Sequence, residues 1–127
     1  MALQSGIVRL LAESANTVND PNHLAGYRSE AAVVRLLNKR GWRLECHRAR
    51  TTIAEIDLIF SKNNEIVLVE VKKLDNSWRA FERIGKKQYQ ALQRNLVFLS
   101  TNLKSYRFIA TVCWVDIENK ISFVLVN

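Results

Sequence analysis

The chain has 127 residues, of which 48% are apolar and 24% charged, a composition typical of one globular domain with its own core. One proline and four glycines exclude collagen-like and low-complexity segments, and two distant cysteines without a C-x-x-C pair exclude a finger-type zinc site. The net charge of +7 favours an anionic partner, with nucleic acid preferred over a membrane surface because no basic amphipathic helix stands out.

The sequence also bears on the compartment. No stretch of about 18 apolar residues could cross a membrane, and the N-terminus lacks the basic start of a signal peptide. The expected location is therefore the cytoplasm. The two cysteines, Cys46 and Cys113, lie in apolar runs and are expected to be buried, reduced thiols.

The chain is predicted to begin with an arm that precedes the domain. Apolar residues recur at helical spacing over residues 3–13, which predicts a short amphipathic helix. Residues 14–23 are polar and contain the only proline, as in a connector. We therefore assign residues 1–23 to an N-terminal helical arm and connector, and residues 24–127 to the domain.

Two helices and five strands are predicted in the domain. The first helix stops at Gly41, and the strand after it alternates apolar with polar residues, which predicts a half-exposed strand. The second and third strands are apolar on both faces, as in central strands, and a hairpin turn at residues 62–64 makes them neighbours. The order of elements indicates an α/β domain with a mixed central sheet flanked by helices. The predicted helices span 27–40 and 84–99, and the predicted strands span 42–47, 53–60, 65–72, 106–115 and 121–126.

Charged residues interrupt the two apolar strands. Glu55 and Asp57 share one face of the second strand, and buried carboxylates are costly unless something pairs with them. On the third strand Glu70 and Lys72 share a face, with Cα atoms about 7 Å apart. Because the hairpin makes the strands neighbours, Asp57 is expected to lie near Glu70 with Lys72 beside it.

The two helices carry polar residues on their apolar sides. Glu30 falls at the spacing of Val33 and Leu37 on the first helix, and Gln88 falls in register with Leu92 on the second. Both Glu30 and Gln88 are therefore expected to point toward the sheet.

These inward-facing charges have two interpretations. The first is a set of buried salt bridges, such as Lys72 with Glu70, which contribute little net stability to a fold. The second is a site for a hard divalent cation such as Mg²⁺, which prefers oxygen ligands and keeps several waters. Three acids and one lysine at inward-facing positions of a basic chain favour the metal site.

Three strings carry a resemblance to a known family: GYRSEAAVVRLLNKRGW, AEIDLIF and IVLVEVKK. Together with weaker similarity through IGKKQYQAL and YRFIATV, they resemble the YraN-like family of small bacterial proteins, a branch of the PD-(D/E)XK nuclease superfamily related to archaeal Holliday-junction resolvases. The resemblance covers residues 24–115 and implies a restriction-endonuclease-like fold with a mixed central sheet of about five strands. Ala54 stands where the family usually has glycine, and Ile109 where it usually has an acid. Neither change removes an expected metal ligand.

The resemblance implies a role for each inward-facing polar residue. Asp57 and Glu70 would ligate Mg²⁺ or Mn²⁺, and Glu30 would reach the metal directly or through water. Lys72 would orient or activate the attacking water, or stabilise charge on the phosphate. Gln88 would contact substrate or water.

Other side chains are expected to complete the site. Glu55 would be a further metal ligand or would support the metal from a neighbouring position. The two histidines, His23 and His47, are interpreted as surface or loop residues, because hydrolysis on carboxylates does not require histidine. Six basic residues flank the site in sequence and are expected to hold phosphates by charge, although any one of them alone is more typical of a solvated face. They are Arg48, Arg50, Lys73, Arg79, Lys86 and Lys87.

The expected function is a Mg²⁺-dependent endonuclease that hydrolyses phosphodiester bonds in DNA, including branched or structured DNA. Hydrolysis needs an activated water, stabilisation of developing negative charge and help for the leaving oxygen, which metals on carboxylates and a lysine supply. Two alternatives stay open: a non-catalytic nucleic-acid-binding protein of the same fold, and a ribonuclease. Analogy with resolvases that act on two-fold substrates also suggests a homodimer.

Overall fold

The chain folds around one sheet with a helix on each face. The structure is a computed structural model and describes residues 28–73 and 85–126. The predicted arm, residues 1–23, and Arg79 lie outside the described residues. The order of elements confirms the predicted α/β architecture, which is consistent with a restriction-endonuclease-like fold. The elements are α1 (Arg28–Lys39), β1 (Arg43–Arg50), β2 (Glu55–Lys62), β3 (Glu65–Lys73), α2 (Lys86–Asn102), β4 (Arg107–Val115) and β5 (Ile121–Val126).

The sheet has the strand order β1-β2-β3-β4-β5. Neighbouring strands are antiparallel except β3 and β4, which are parallel and are connected by a crossover that contains α2. Asn63 has a φ of 56° in the predicted hairpin turn between β2 and β3. Gly41 ends α1 with a φ of 89°, a left-handed conformation that glycine adopts without steric cost.

The two faces of the sheet form separate apolar cores. The core on the α1 face includes Val33, Leu37, Leu58, Phe60 and Val69. The core on the α2 face includes Ile59, Leu68, Leu92, Leu99 and Val112. Because β2 and β3 contribute to both cores, a charged residue within either strand has no solvated face to occupy.

The two cysteines belong to these cores. Cys46 and Cys113 are buried and free, as expected. Burial raises the pKa of each thiol to about 12, so both are uncharged at neutral pH. A buried neutral thiol is unreactive, which assigns both residues to packing.

The two described helices differ at their N-terminal ends. α1 spans 12 residues, with Glu30 in its first turn and Lys39 in its last, the distribution of charge that the helix dipole favours. α2 spans 17 residues and begins with Lys86 and Lys87, with no acidic residue in its first turn. The positive end of α2 is thus reinforced by basic side chains. Neither of these two helices is long and apolar enough to cross a membrane.

β1 departs from the predicted alternation of exposed and buried residues. Glu45, Cys46 and His47 are consecutive and all buried. The register against β2 shifts between Leu44 and Cys46, a β-bulge that changes the face on which the following residues lie. Arg48 then adopts a φ of 55°, a second irregularity in the same strand. The predicted half-exposed alternation was therefore wrong, because no residue type in β1 marks the bulge.

β2 and β3 separate at one end of the sheet. The last residue pair between them is Leu58 with Val69. Beyond it β2 stays paired with β1 as far as Glu55, and β3 stays paired with β4 as far as Lys73. The sheet therefore opens at its centre, and we call this opening the split end. The end of β1, the start of β2 and the end of β3 all lie there.

Candidate active site

Asp57 and Glu70 face each other across the split end. Each is the next residue beyond the last β2–β3 pair, so the antiparallel register places them opposite one another. The backbone N–H of Val71 donates a 2.8 Å hydrogen bond to Oδ2 of Asp57, which takes the place of a strand partner. Glu70 donates a further hydrogen bond to Asp57. The predicted proximity of the two acids is confirmed.

The pKa values of both carboxyl groups are raised by their burial. Burial and the negative charge of Asp57 raise the pKa of Glu70 to about 8, against the lowering effect of the Lys72 ammonium. Burial also raises the pKa of Asp57, although its hydrogen bonds from Val71 and Glu70 lower it. Glu70 is therefore the protonated partner at neutral pH. The doubly ionised form of this pair is unfavourable in the fold, and a nearby cation would stabilise it.

Lys72 lies beside this pair on the same face of β3. Its Nζ is 3.7 Å from Oε1 of Glu70, and the two side chains are 21% and 16% exposed. The ammonium is thus shielded on most sides and open on one, where an anionic group could reach it. The predicted alignment of Glu70 with Lys72 is confirmed.

Glu30 approaches the split end from α1. Its side chain is buried, and its Oε2 lies 2.7 Å from Nε2 of His47 on β1. Burial raises the pKa of Glu30, the His47 hydrogen bond lowers it, and the negative charge of Asp57 raises it again. Glu30 therefore lies within electrostatic reach of Asp57, as its inward position on the helix predicted.

His47 is a residue of this region that the sequence interpretation missed. Its side chain is 1% exposed, so its interpretation as a surface or loop residue was wrong. Strict alternation from Trp42 places His47 on the polar face of β1. The bulge before Cys46 turns it to the α1 face, opposite Leu58 and next to Glu30. Since the residue types do not mark the bulge, only the structure identifies this contact.

Gln88 is exposed, so the prediction that it points toward the sheet was wrong. The fully buried residues of α2 begin at Leu92, and Tyr89 before it is half-buried against the same core. The helical register was interpreted correctly, since Leu92 and Leu99 face the core. Gln88 nevertheless lies among the exposed residues that begin the helix, Lys86 to Gln88. A contact between Gln88 and substrate stays a prediction.

Glu55 lies at the rim of the split end. Its side chain is 38% exposed, and its Oε2 is 3.8 Å from Nη2 of Arg50. Exposed ion pairs of this kind contribute about 0–1 kcal/mol, so Arg50 leaves Glu55 at little cost. The charge of Glu55 raises the pKa of Asp57, which places the two carboxylates within electrostatic reach. Its role as a metal ligand or support stays a prediction.

Basic side chains lie on the strands that end at the split end and on the first turn of α2. Arg48 is half-buried and lies close enough to Glu30 to lower the pKa of that carboxyl. Arg79 is not among the described residues. The remaining basic residues predicted to contact phosphates are exposed on β1, β3 and the first turn of α2. They are Arg50, Lys73, Lys86 and Lys87.

A buried polar contact attaches the start of β2 to α2. The hydroxyl of Thr51 accepts hydrogen bonds from the N–H groups of Ile53 and Ala54 at 3.0 and 3.2 Å, and it donates to Oδ1 of Asn95. The Asn95 amide donates to the carbonyl of Ala54 at 3.3 Å. This contact fixes the turn that leads into Asp57. The signal in the sequence was a lone asparagine on the apolar face of a helix, which sequence analysis did not use.

The donor set of the split end fits a hard divalent cation. Within residues 28–73 and 85–126 no three His, Cys, Asp or Glu side chains converge into a preformed metal site. Mg²⁺ keeps several waters and needs only one or two protein carboxylates, a requirement that Asp57 and Glu70 meet. The raised pKa values of both acids show that a second negative charge is disfavoured there without a cation. The predicted ligand set thus comprises this close pair, with Glu30 as a neighbour held by His47.

Comparison with known proteins identifies the family. The sequence profile described as "Uncharacterised protein family UPF0102" matches residues 29–117. This chain belongs to the UPF0102 family. The matched region of the UPF0102 profile contains Glu30, Asp57, Glu70 and Lys72, so all four charges of the site lie within the part of the chain that is characteristic of the family.

Relatives in the UPF0102 family match half to two thirds of the chain. A UPF0102 protein of Ruegeria pomeroyi is 42% identical over 71 residues, which cover 56% of this chain and 58% of the relative. A UPF0102 protein of Roseobacter denitrificans is 41% identical over 64 residues, or 50% of each chain. A UPF0102 protein of Parvibaculum lavamentivorans is 31% identical over 90 residues, or 68% of each chain. The chain thus spans about half the length of the first two relatives, and the three names state no activity.

Proposed function

We propose that this UPF0102 chain is a Mg²⁺- or Mn²⁺-dependent endonuclease of the PD-(D/E)XK superfamily that hydrolyses phosphodiester bonds in DNA. One observation carries the proposal: Asp57 and Glu70 lie opposite one another, largely buried, at the split end, and the Lys72 ammonium lies 3.7 Å from Glu70. Acids with raised pKa values cost stability near neutral pH, which favours a functional role for the pair. The resemblance to the YraN-like family assigns a reactive centre to the same three positions.

Each side chain of the split end has a separate task in this proposal. Asp57 and Glu70 would hold the cation, and Glu30 would reach it directly or through a water. A bound divalent cation supplies charge that polarises the phosphate and lowers the pKa of an attacking water. The Val71 N–H keeps Asp57 oriented through its 2.8 Å hydrogen bond. Lys72 stabilises the negative charge that develops on the phosphate, or orients the water.

The charge distribution supports an anionic polymer as the substrate. The chain carries 19 Lys and Arg against 12 Asp and Glu, and basic residues lie on the strands that end at the split end. In the first turn of α2, Lys86 and Lys87 add their charges to the positive end of the helix dipole, an arrangement that suits a phosphate. The preference for DNA over RNA, for branched or structured DNA and for a homodimer rests on the resemblance alone.

The proposal is tested by cleavage of labelled duplex DNA, branched DNA, single-stranded DNA and RNA in Mg²⁺, Mn²⁺ or EDTA. The parent protein is expected to cut DNA only with a divalent metal. Asp57→Asn, Glu70→Gln and Lys72→Met are each expected to lower the rate on the order of 100-fold or more. Two matched controls, Glu65→Gln and Lys104→Met, replace exposed or half-exposed residues distant from the split end and are expected to keep the parent rate.

Each outcome of this assay separates the proposal from its alternatives. Binding of DNA without cleavage in any metal favours the non-catalytic protein of the same fold. Cleavage of RNA alone favours the ribonuclease. If Asp57→Asn and Lys72→Met cut DNA as fast as the parent, the assignment of these residues to the active site is wrong.

A further inference from the structure

The contact between Glu30 and His47 is the one buried ion-pair geometry that connects α1 to β1 in the described residues. Oε2 of Glu30 and Nε2 of His47 are 2.7 Å apart, and their side chains are 11% and 1% exposed. When Glu30 is ionised its carboxylate only accepts hydrogen bonds, so His47 donates through Nε2–H. The contact engages Oε2 of Glu30, and the carboxyl group lies within electrostatic reach of Asp57.

Stability alone does not account for this contact. Burying an acid and an imidazole is costly, and replacement of such a pair by apolar residues of similar volume is often neutral or stabilising. The surrounding core on the α1 face is apolar, with Val33, Leu37 and Leu58 among its members. A leucine at position 47 would suit these neighbours. A histidine there calls for another explanation.

The position of Glu30 supplies that explanation. The negative charge of Asp57 acts on Glu30 across the split end and disfavours a second ionised carboxylate there. A free glutamate side chain also has several rotatable bonds and would turn toward solvent. The hydrogen bond from His47 opposes both effects, because it holds the Glu30 carboxylate at the split end.

The backbone of β1 is shaped to aim His47 at Glu30. The register shift between Leu44 and Cys46 precedes His47, and Arg48 with a φ of 55° follows it. Bulges of this kind occur next to active sites, where they redirect a side chain. A regular strand would place His47 on the opposite face, away from α1.

We propose that His47 is a positioning residue that holds the carboxylate of Glu30 for a divalent cation bound by Asp57 and Glu70. This inference rests on the proposed metal site and adds to it a residue that the family resemblance does not assign. Carboxylates that ligate metals are themselves held by hydrogen bonds from neighbouring groups, and loss of such a partner typically weakens metal binding about 10- to 100-fold. His47 would contribute to metal affinity without touching the substrate.

The test compares three variants by Mn²⁺ affinity, measured calorimetrically on metal-free protein, and by thermal unfolding. His47→Leu removes the donor and is expected to weaken Mn²⁺ binding about 10- to 100-fold. His47→Gln places an amide N–H near the position of Nε2 and is expected to restore most of the affinity. Ser61→Ala is the matched control, because the Ser61 hydroxyl donates an equally short 2.7 Å bond to the buried Glu45 on the same pair of strands. It is expected to lower the unfolding temperature and keep the parent Mn²⁺ affinity.

The outcomes separate a positioning role from a structural one. If His47→Leu lowers the unfolding temperature but binds Mn²⁺ as the parent does, or if His47→Gln is no better than His47→Leu, the inference is wrong. Should His47→Leu fail to fold, His47→Asn takes its place, because its shorter amide cannot reach the position of Nε2 and is expected to weaken Mn²⁺ binding relative to His47→Gln; equal affinities of the two would overturn the inference. If the parent binds Mn²⁺ but cuts no nucleic acid, the proposed endonuclease activity is contradicted. The role of His47 is then decided by the Mn²⁺ affinities of its variants alone. A parent that binds no Mn²⁺ contradicts both.

Discussion

The ionisation of Glu70 differs between the unfolded and the folded chain. Its carboxyl has an ordinary pKa of 4.5, and burial beside Asp57 raises the pKa to about 8 in the fold. Between these values the folded chain holds a proton that the unfolded chain has released. The free energy of unfolding therefore decreases as the pH rises through this interval.

The metal-free protein is accordingly expected to lose stability as the pH rises from 4.5 toward 8. The contribution of Glu70 to the free energy of unfolding is fully present below pH 4.5. Above this pH it decreases by at most about 1.4 kcal/mol per pH unit. Glu70→Gln does not titrate and is expected to flatten the dependence. Urea unfolding in EDTA, from about pH 5 to about pH 8, measures the slope.

A second glutamate on the same strand provides the control for this titration. Glu65 lies at the other end of β3, where it is partly exposed and 3.9 Å from Arg107. Glu65→Gln is expected to keep the slope of the parent. A parent whose stability increases with pH over the same interval would show that Glu70 is ionised in the fold.

At the scale of elements, the position of β2 depends on a contact with α2. Asn95 is buried on the helix and is hydrogen-bonded to Thr51 and Ala54, immediately before the strand that carries Asp57. The apolar contacts of the sheet fix the plane of β2. The Asn95 contact fixes the turn by which β2 enters the split end.

Asn95→Leu is expected to destabilise the fold by about 1–3 kcal/mol, because the hydroxyl of Thr51 and the carbonyl of Ala54 would lose a buried partner. Urea unfolding at constant pH measures this change. Ser100→Ala is the control on the same helix, since the Ser100 hydroxyl donates only to the Leu96 carbonyl one turn earlier. Equal losses in the two variants would mean that the Asn95 contact has no special role in holding β2.

Hydrophobic periodicity was sufficient to predict most elements. α1, β2, β3, β4 and β5 lie within two residues of their predicted bounds wherever the chain is described, because each has one strong pattern and a turn residue at its end. The end of α2 was underestimated by three residues, since its last turn, Ser100–Asn102, is polar. β1 was mispredicted in its burial because a bulge has no consistent residue signature.

Residues of the candidate site could be predicted from the sequence where a charged residue stands at a position that the hydrophobic pattern assigns to the core. Asp57, Glu70 and Glu30 stood out because a core strand or helix face tolerates an acid only for a reason. His47 did not stand out, because alternation placed it with the polar residues of β1. Gln88 was placed inward by helical register, which does not reveal how far the covering sheet extends.

For the molecule as a whole, part of the excess positive charge lies on elements that begin or end near the split end. Arg48, Arg50 and Lys73 lie on strands that end there, and Lys86 and Lys87 begin the helix that follows β3. Binding of a nucleic acid at this end would release counterions in proportion to the phosphates contacted. The salt dependence of binding therefore reports which lysines take part.

Lys86→Gln combined with Lys87→Gln is expected to reduce the slope of log affinity for duplex DNA against log salt by about 2, at about 0.9 for each phosphate contact. Fluorescence anisotropy with labelled DNA in EDTA measures the slope. The control pair, Lys39→Gln with Lys104→Gln, removes the same net charge from the ends of α1 and α2 distant from the split end. If both pairs change the slope equally, binding depends on net charge and not on the first turn of α2.

The central claim is that Asp57 and Glu70 bind a divalent cation, and that binding displaces the proton that the raised pKa of Glu70 retains near neutral pH. Calorimetric titration of the metal-free protein with Mn²⁺, in two buffers of different ionisation enthalpy, measures affinity and proton release together. At about pH 7 the parent is expected to bind Mn²⁺ and release about one proton, whereas Glu70→Gln should bind weakly and release none. Glu65→Gln should behave as the parent. A parent that binds no Mn²⁺, or binds it without releasing a proton, would contradict the claim.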